Sequence, residues 1–180
     1  MKKILFPLGA LAAFALLACA PINENQCKAG NWEGIGLRDG ANGRSETHVT
    51  NYVEECGKFG TAVDLNAWRK GRTEGLKSYC TLTNAENVGR NGRALRPVCA
   101  NSSTLFAANR HGQVYHELTN KLEDLEDERD ELRAVLNRDF RGELTEAQAQ
   151  LGRRYLRRLR GVEDDISDLK YELRRFPRYS

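Results

Sequence analysis

The chain has 180 residues, which allows one domain with an appendage and excludes two full-sized domains. Charged residues make up 29% of it, so we expect a small core beside a highly solvated segment. The formal net charge of +3 falls to +1 once residues 1–18 are removed as an export signal, because they contain Lys2 and Lys3 but no acidic residue. The charge balance therefore excludes nucleic-acid binding driven by bulk positive charge.

The N-terminus is typical of an exported lipoprotein. Two lysines are followed by an apolar run, Ile4 to Ala18, that is too short to span a bilayer as a mature helix. The run ends in Leu16-Leu17-Ala18-Cys19, which resembles the lipobox of bacterial lipoproteins, whose signal is cut before a lipid-modified cysteine. Cys19 is therefore the expected lipidation site and membrane attachment. Because alanine rather than aspartate follows at Ala20, we expect an anchor in the outer membrane facing the periplasm.

Four further cysteines are predicted to form two disulfides, because exported proteins with an even number of cysteines commonly pair them. They are Cys27, Cys56, Cys80 and Cys99, for which three pairings exist. Two short helices joined by a turn at residues 40–44 bring Cys27 and Cys56 to the same end of a helical hairpin. This geometry favours Cys27–Cys56 and leaves Cys80–Cys99 as the second disulfide.

Residues 81–99 are predicted to be a loop that the Cys80–Cys99 disulfide closes. The segment is rich in asparagine and glycine, which punctuate regular structure. The pair Asn91-Gly92 is a strong turn signal and predicts a small hairpin within the loop.

Two stretches place large aromatic residues and glycines on one face of a helix. The spacing in both is three or four residues, which aligns side chains along one side. Glycine destabilises a helix by roughly 1 kcal/mol relative to alanine, so several on one face indicate close approach of another backbone. We predict that the two helices pack face to face. The residues of this packing motif are Trp32, Gly36 and Gly40 in the first helix, and Trp68, Gly71, Gly75 and Tyr79 in the second.

The remainder of the chain is predicted to be a pair of long helices. Leucines in the first arm and apolar residues in the second follow the alternating four-and-three spacing of a coiled coil. Residues 123–131 are rich in acids, and residues 153–160 are rich in arginine. With a turn near Arg141 these runs lie opposite one another, which favours an antiparallel hairpin.

The expected fold is therefore mainly α: a small disulfide-stapled, glycine-rich helical domain followed by a long antiparallel helical hairpin, or coiled coil. The predicted divisions are a lipoprotein signal peptide at 1–18, a lipidated leader at 19–29, the helical domain at 30–111 and the hairpin at 112–180.

The order of these motifs resembles a known family of small bacterial lipoproteins, domain of unknown function 2799. The resemblance covers roughly residues 27–115, about half of the chain. The family name carries no activity, so the resemblance implies nothing about catalysis. The matching motifs are Trp32-x-x-Ile35-Gly36-x-x-Asp39-Gly40-x-x-Gly43, Cys56, Trp68-x-x-Gly71-Arg72-x-x-Gly75-Leu76-x-x-Tyr79-Cys80, Gly89-x-x-Gly92 and Val98-Cys99.

One basic cluster in the domain is a candidate binding site. Arg90, Arg93 and Arg96 surround the Asn91-Gly92 turn, where they would suit lipid phosphates, lipopolysaccharide or an anionic cell-wall polymer. No metal site, cofactor site or catalytic set of residues is predicted, since the three histidines lack ligand spacing and no nucleophile motif occurs.

Two functional hypotheses follow. The first is a non-enzymatic binding or structural module of the cell envelope, anchored to the membrane by Cys19, with an envelope protein or an anionic cell-wall or lipid component as its partner. The alternative is an envelope hydrolase whose acids, Asp39 and Glu74, act in a cleft between the glycine-bearing helices.

Overall fold

The computed structural model describes residues 22–100 and 102–179, and these residues form helices joined by short loops. The fold of this part is mainly α, as predicted, and none of its helices is long and apolar enough to cross a membrane. The predicted export signal and Cys19 lie outside the described residues. The helices are α1 (Glu24–Ala29), α2 (Trp32–Ala41), α3 (Val49–Gly57), α4 (Leu65–Tyr79), α5 (Leu82–Arg90), α6 (Ser103–Asp139) and α7 (Glu146–Arg175), with a short 3-10 helix, Glu46–His48, before α3.

Helices α2 and α4 cross with their backbones in direct contact. A β-carbon added to any of four glycines at the crossing would overlap a carbonyl oxygen of the other helix. The distances from the added atom to that oxygen would be 2.0 Å at Gly36, 2.1 Å at Gly40, 1.9 Å at Gly71 and 2.1 Å at Gly75. The glycines are therefore required by the packing of the helices, and Trp68 and Tyr79 are buried on the same face of α4.

Helices α5 and α6 repeat this construction. A β-carbon at Gly89 would lie 2.0 Å from the carbonyl oxygen of Asn109, and one at Gly112 would lie 2.2 Å from that of Glu86. The first part of α6 therefore belongs to the compact domain, and the predicted boundary between residues 111 and 112 falls inside this crossing.

The prediction of a loop over residues 81–99 was wrong for its first half, which is α5. Thr81 caps the helix by accepting a hydrogen bond from the Asn84 amide at 3.2 Å. Asn91 and Gly92 end α5, where Gly92 adopts a left-handed φ of 70°, and they do not form a β-hairpin. Asparagine and glycine weaken a helix in isolation, but Gly89 is the residue that allows α6 to approach.

The two disulfides join Cys27 to Cys56 and Cys80 to Cys99, which are the pairings that the sequence favoured. The first connects α1 with α3 beside a core that includes Trp32 and Trp68. The second connects the end of α4 with the segment before α6, so it encloses α5 and clasps the two helix pairs together.

Helices α6 and α7 form an antiparallel hairpin. Thr145 begins α7 with a capping box, and Leu132, Val162 and Ile166 are buried between the helices. Three ion pairs cross between the two arms, and one of them, Glu128 with Arg158, joins the acidic and basic runs that the sequence placed opposite one another. They join Glu128 to Arg158, Arg133 to Glu163 and Glu126 to Lys170. Because these pairs are exposed, they select the register of the helices more than they stabilise them.

The end of the chain returns to the compact domain, which the sequence pattern did not predict. Phe176 and Tyr179 pack against His111, with ring centroids 4.7 and 5.5 Å away. Arg90 donates a hydrogen bond to the carbonyl oxygen of Pro177 at 3.1 Å, and its guanidinium lies 4.0 Å from the ring centroid of Tyr115. The C-terminal segment thus fastens α7 to α5 and α6.

The glycine crossing can be tested with one methyl group. We expect Gly71→Ala to lower the free energy of unfolding by about 1–3 kcal/mol, because the methyl group would overlap the Glu33 carbonyl oxygen. Gly161→Ala in α7 is the matched control, since no atom lies within 4 Å of the added β-carbon. It should raise stability by up to about 1 kcal/mol. Denaturant unfolding measures both, and equal stabilities for the two variants would contradict a tight crossing.

Candidate functional site

The two acids of the hydrolase hypothesis do not share a cleft. Asp39 is buried, and its carboxylate accepts hydrogen bonds from the Tyr52 hydroxyl at 3.1 Å and the Trp68 indole at 2.9 Å. Glu74 points to solvent and pairs with Lys77. Because α2 and α4 are in backbone contact, no space between them admits a substrate, and Asp39 is a structural acceptor.

The buried network around Asp39 shifts the pKa of Tyr52. Burial, together with the charge and hydrogen bond of Asp39, raises the pKa of Tyr52 to about 12. Tyr52 therefore stays protonated and continues to donate to Asp39 at physiological pH.

Glu86 is a second buried acid, with only 2% of the residue exposed. Its carboxylate accepts a hydrogen bond from Arg90 at 2.9 Å, and Arg178 lies 3.7 Å away. Burial raises the pKa of Glu86, but the hydrogen bond and charge of Arg90, helped by Arg178, outweigh it and hold the pKa below its ordinary value. His111 approaches the same carboxylate, with Nδ1 at 3.4 Å.

Of the three arginines in the predicted basic cluster, Arg90 has a different role. Arg90 neutralises Glu86 and stacks on Tyr115, so its side chain serves the packing of α5 and α6. Arg93 and Arg96 are exposed and lie together at a cavity of about 180 Å³ between the two helix pairs. Other residues that line this cavity are Ala41, Asn42, Tyr79, Asn84, Val88 and Ala94.

A second cavity, of about 360 Å³, adjoins the first and shares Arg96 with it. Its other lining residues are Gly43, Arg44, Ser45, His48, Pro97 and Val98. We call the two cavities together the basic cleft and Arg44, Arg93 and Arg96 its three arginines. No aspartate or glutamate lines the basic cleft, and no described carboxylate forms a salt bridge with any of the three.

Two hydrogen bonds hold Arg96 in place between the helix pairs. Its amide donates a hydrogen bond to the Tyr79 hydroxyl at 3.1 Å, and its guanidinium donates one to the Asn42 carbonyl oxygen at 3.3 Å. The Cys80–Cys99 disulfide lies three residues further along. Arg96 is thus a fixed cation at the junction of the two cavities.

The charge of the basic cleft acts on His48, which lines the second cavity. Burial lowers the pKa of His48, and the positive charges of Arg44 and Arg96 lower it further, while Asp39 opposes them. The imidazole is therefore neutral at physiological pH, and its ring packs edge-on against Tyr52 with 5.2 Å between centroids.

A family model described as "Protein of unknown function (DUF2799)" matches residues 31–114. This part of the chain belongs to the DUF2799 family. The match contains both glycine crossings and all the residues of the basic cleft, and it ends within α6. No curated protein and no solved structure matches the chain.

Sequence reasoning missed Arg44, although a repeated pattern within the DUF2799 domain marks it. Gly-x-Asn-Gly-Arg occurs at residues 40–44 and again at 89–93. Arg93 ends the second copy and belonged to the predicted cluster, so Arg44 was the corresponding residue of the first copy. Among the described residues, no group of three or more histidine, cysteine or acidic side chains is arranged to hold a metal ion.

The lowered pKa of Glu86 predicts acid sensitivity of the DUF2799 domain. Because the folded state holds this carboxylate ionised more strongly than the unfolded chain does, its stabilising contribution is present above its ordinary pKa of 4.5 and is lost as the pH falls through the lowered value. We expect Glu86→Gln to flatten the decline in unfolding free energy between about pH 6 and pH 3.

Glu74→Gln is the control for this measurement, since Glu74 is exposed and its loss should leave the pH profile unchanged. Denaturant unfolding at several pH values compares the two variants with the wild type. An identical slope for Glu86→Gln and wild type would contradict the assigned role of Glu86.

Proposed function

We propose that this protein is a cell-envelope lipoprotein, anchored through Cys19, whose DUF2799 domain binds an anionic component of the envelope. The observation that carries the proposal is the basic cleft, in which three arginines line two adjoining cavities without a carboxylate. The lipobox at the N-terminus supports the anchor, because lipoproteins of this type carry two or more acyl chains and remain stably attached to a membrane.

The chemistry of the basic cleft suits recognition of an anion. Guanidinium groups bind phosphate and carboxylate in bidentate geometry, and a concave wall strengthens the field of clustered charges. The three arginines repel one another, and an anion among them relieves that repulsion. Such a ligand would also receive hydrogen bonds from polar groups of the lining, which include Tyr79 and Asn84.

The same lining favours binding over catalysis. Ser45 and His48 both line the second cavity, but the Ser45 hydroxyl hydrogen-bonds Thr47 at 2.8 Å rather than His48. His48 instead approaches the side-chain amide of Asn51 at 3.5 Å. No activated nucleophile results, since activation requires the hydroxyl to be in hydrogen-bond contact with the base.

The hairpin of α6 and α7 gives the protein reach. The 37 residues of α6 extend over about 55 Å at 1.5 Å per residue. Its charged, largely exposed surface is suited to contact with another envelope protein while the DUF2799 domain stays close to the anchored end.

The anchor is tested by replacing the lipidated cysteine. In a bacterial host, we expect wild-type protein in the membrane pellet with a mass increased by its acyl chains. Cys19→Ser should leave the protein without this mass and in the soluble fraction after a high-salt wash. Retention of Cys19→Ser protein in the washed pellet would contradict anchoring by Cys19.

The basic cleft is tested by retention on cell-envelope fragments. We expect the chain from residue 19 with Cys19→Ser to sediment with fragments, and we expect Arg44→Ala combined with Arg96→Ala to reduce retention several-fold. Arg153→Ala combined with Arg157→Ala on α7 removes the same charge from exposed positions outside the basic cleft and should change little. Equal losses for the two double variants would indicate attraction by bulk charge and contradict a specific site.

A further inference from the structure

We propose that the basic cleft binds a ligand with two phosphate groups, one held by Arg44 and the other by Arg93, with Arg96 between them. This inference rests on the proposed function and specifies its ligand. Two observations carry it: the loops that present Arg44 and Arg93 are two copies of one structure, and the two cavities that they line share Arg96.

The two Gly-x-Asn-Gly-Arg loops make the same hydrogen bonds. In each, the amide of the second glycine donates to the carbonyl oxygen of the first, at 2.9 Å in the first copy and 2.8 Å in the second. The asparagine side chain donates to the carbonyl oxygen four residues earlier, at 2.7 Å in both. The arginine amide donates to the carbonyl oxygen five residues earlier, at 2.9 and 3.0 Å. Gly43 and Gly92 both adopt a left-handed φ, of 63° and 70°.

The second helix of each pair contacts its loop in the same way. Arg72 of α4 donates a hydrogen bond to the Arg44 carbonyl oxygen at 2.8 Å, and Asn109 of α6 donates one to the Arg93 carbonyl oxygen at 3.0 Å. The same two residues provide the carbonyl oxygens on which Gly40 and Gly89 pack. The backbones at Arg44 and Arg93 are therefore fixed in equivalent ways in the two helix pairs.

Arg44 and Arg93 are therefore presented by equivalent loops at two adjoining cavities. Arg44 lines the larger cavity, Arg93 lines the smaller one, and Arg96 lines both. A single small anion at one cavity leaves the other arginine without a partner. A ligand with two linked phosphates places one phosphate at each cavity and brings at least two negative charges to three guanidinium groups, each of which suits phosphate oxygens.

Two sources of this chemistry exist in an envelope. One is a membrane headgroup with two phosphates, and the other is a free diphosphate compound. Both present paired phosphates, so the experiment uses a soluble probe for the shared chemistry and vesicles to distinguish the sources.

The probes are pyrophosphate, orthophosphate and sulfate, titrated calorimetrically at constant ionic strength into the chain from residue 19 with Cys19→Ser. Sulfate and orthophosphate each carry their charge on one centre, so they control for anion binding that does not require paired phosphates. We expect pyrophosphate to bind at least tenfold more tightly than either single-centre anion. Arg44→Ala should reduce pyrophosphate affinity to the orthophosphate level while orthophosphate binding persists, and Arg153→Ala should change neither.

His48 provides an independent readout, because it lines the larger cavity beside Arg44. A phosphate bound there stabilises the imidazolium form, so the His48 pKa measured by NMR should rise when pyrophosphate is added. The Arg44→Ala variant should show a smaller rise. A pKa unchanged by pyrophosphate would overturn occupancy of the larger cavity.

Vesicles identify the source. Cardiolipin carries two phosphates in one headgroup, whereas phosphatidylglycerol carries one, and both are compared at equal total phosphate. Preferential binding to cardiolipin that pyrophosphate displaces would assign a membrane ligand. Pyrophosphate binding without this preference would assign a free diphosphate compound.

Two outcomes distinguish failure of the two-phosphate ligand from failure of the proposed function. Equal affinities for pyrophosphate, orthophosphate and sulfate, all lost in Arg96→Ala, would overturn the two-phosphate ligand and leave anion binding at the basic cleft intact. If no anion binding depends on Arg96, and the cleft variants are retained on envelope fragments as well as the wild type is, both the two-phosphate ligand and the proposed function are overturned.

Discussion

Contact between helix backbones is the constraint on which the rest of this domain depends. At the two crossings, carbonyl oxygens occupy the space that side chains fill in most helix pairs, so only glycine is accommodated. Because no side chains separate α2 from α4, the residues at the borders of the contact seal it, and Trp68 and Tyr79 do so. The buried carboxylate of Asp39 then accepts the hydrogen bonds that the Trp68 indole and the Tyr52 hydroxyl must make in a dry environment.

The same constraint creates the basic cleft. Each crossing fixes two helices tightly to one another, while the two pairs meet through the Cys80–Cys99 disulfide, the hydrogen bonds of Arg96 and a buried cluster that joins Tyr79 to Ala85 and Ala108. The cavities of the basic cleft lie beside this contact, and the arginines of the repeated loops line them. The buried acids Asp39 and Glu86 do not line the basic cleft, since their carboxylates are hydrogen-bonded elsewhere.

The sequence predicted the features that follow from spacing alone. Glycines at helical intervals indicated the α2–α4 crossing, the cysteines and short helices favoured the observed disulfides, and opposite charge runs indicated the antiparallel hairpin. It did not predict α5, because asparagine and glycine lower helix propensity and only contact with α6 compensates. Arg90 was assigned to the anion-binding cluster for a related reason, because its ion-pair partner Glu86 is apparent only once residues 82–90 are recognised as a helix. The return of Phe176 to His111 joins residues distant along the chain, which no local pattern encodes.

Helix α6 is a single unbroken element that begins inside the glycine crossing and ends at the tip of the hairpin. It therefore acts as one rigid arm. From Gly112 to Asp139 it spans about 40 Å, so a small sideways force at the tip becomes a large torque at the crossing. The C-terminal segment holds the near end of the hairpin against α5, where Arg90 contacts Pro177 and Phe176. Load applied to the distal end is thus delivered as strain on the α5–α6 contact, a few residues from the loop that presents Arg93.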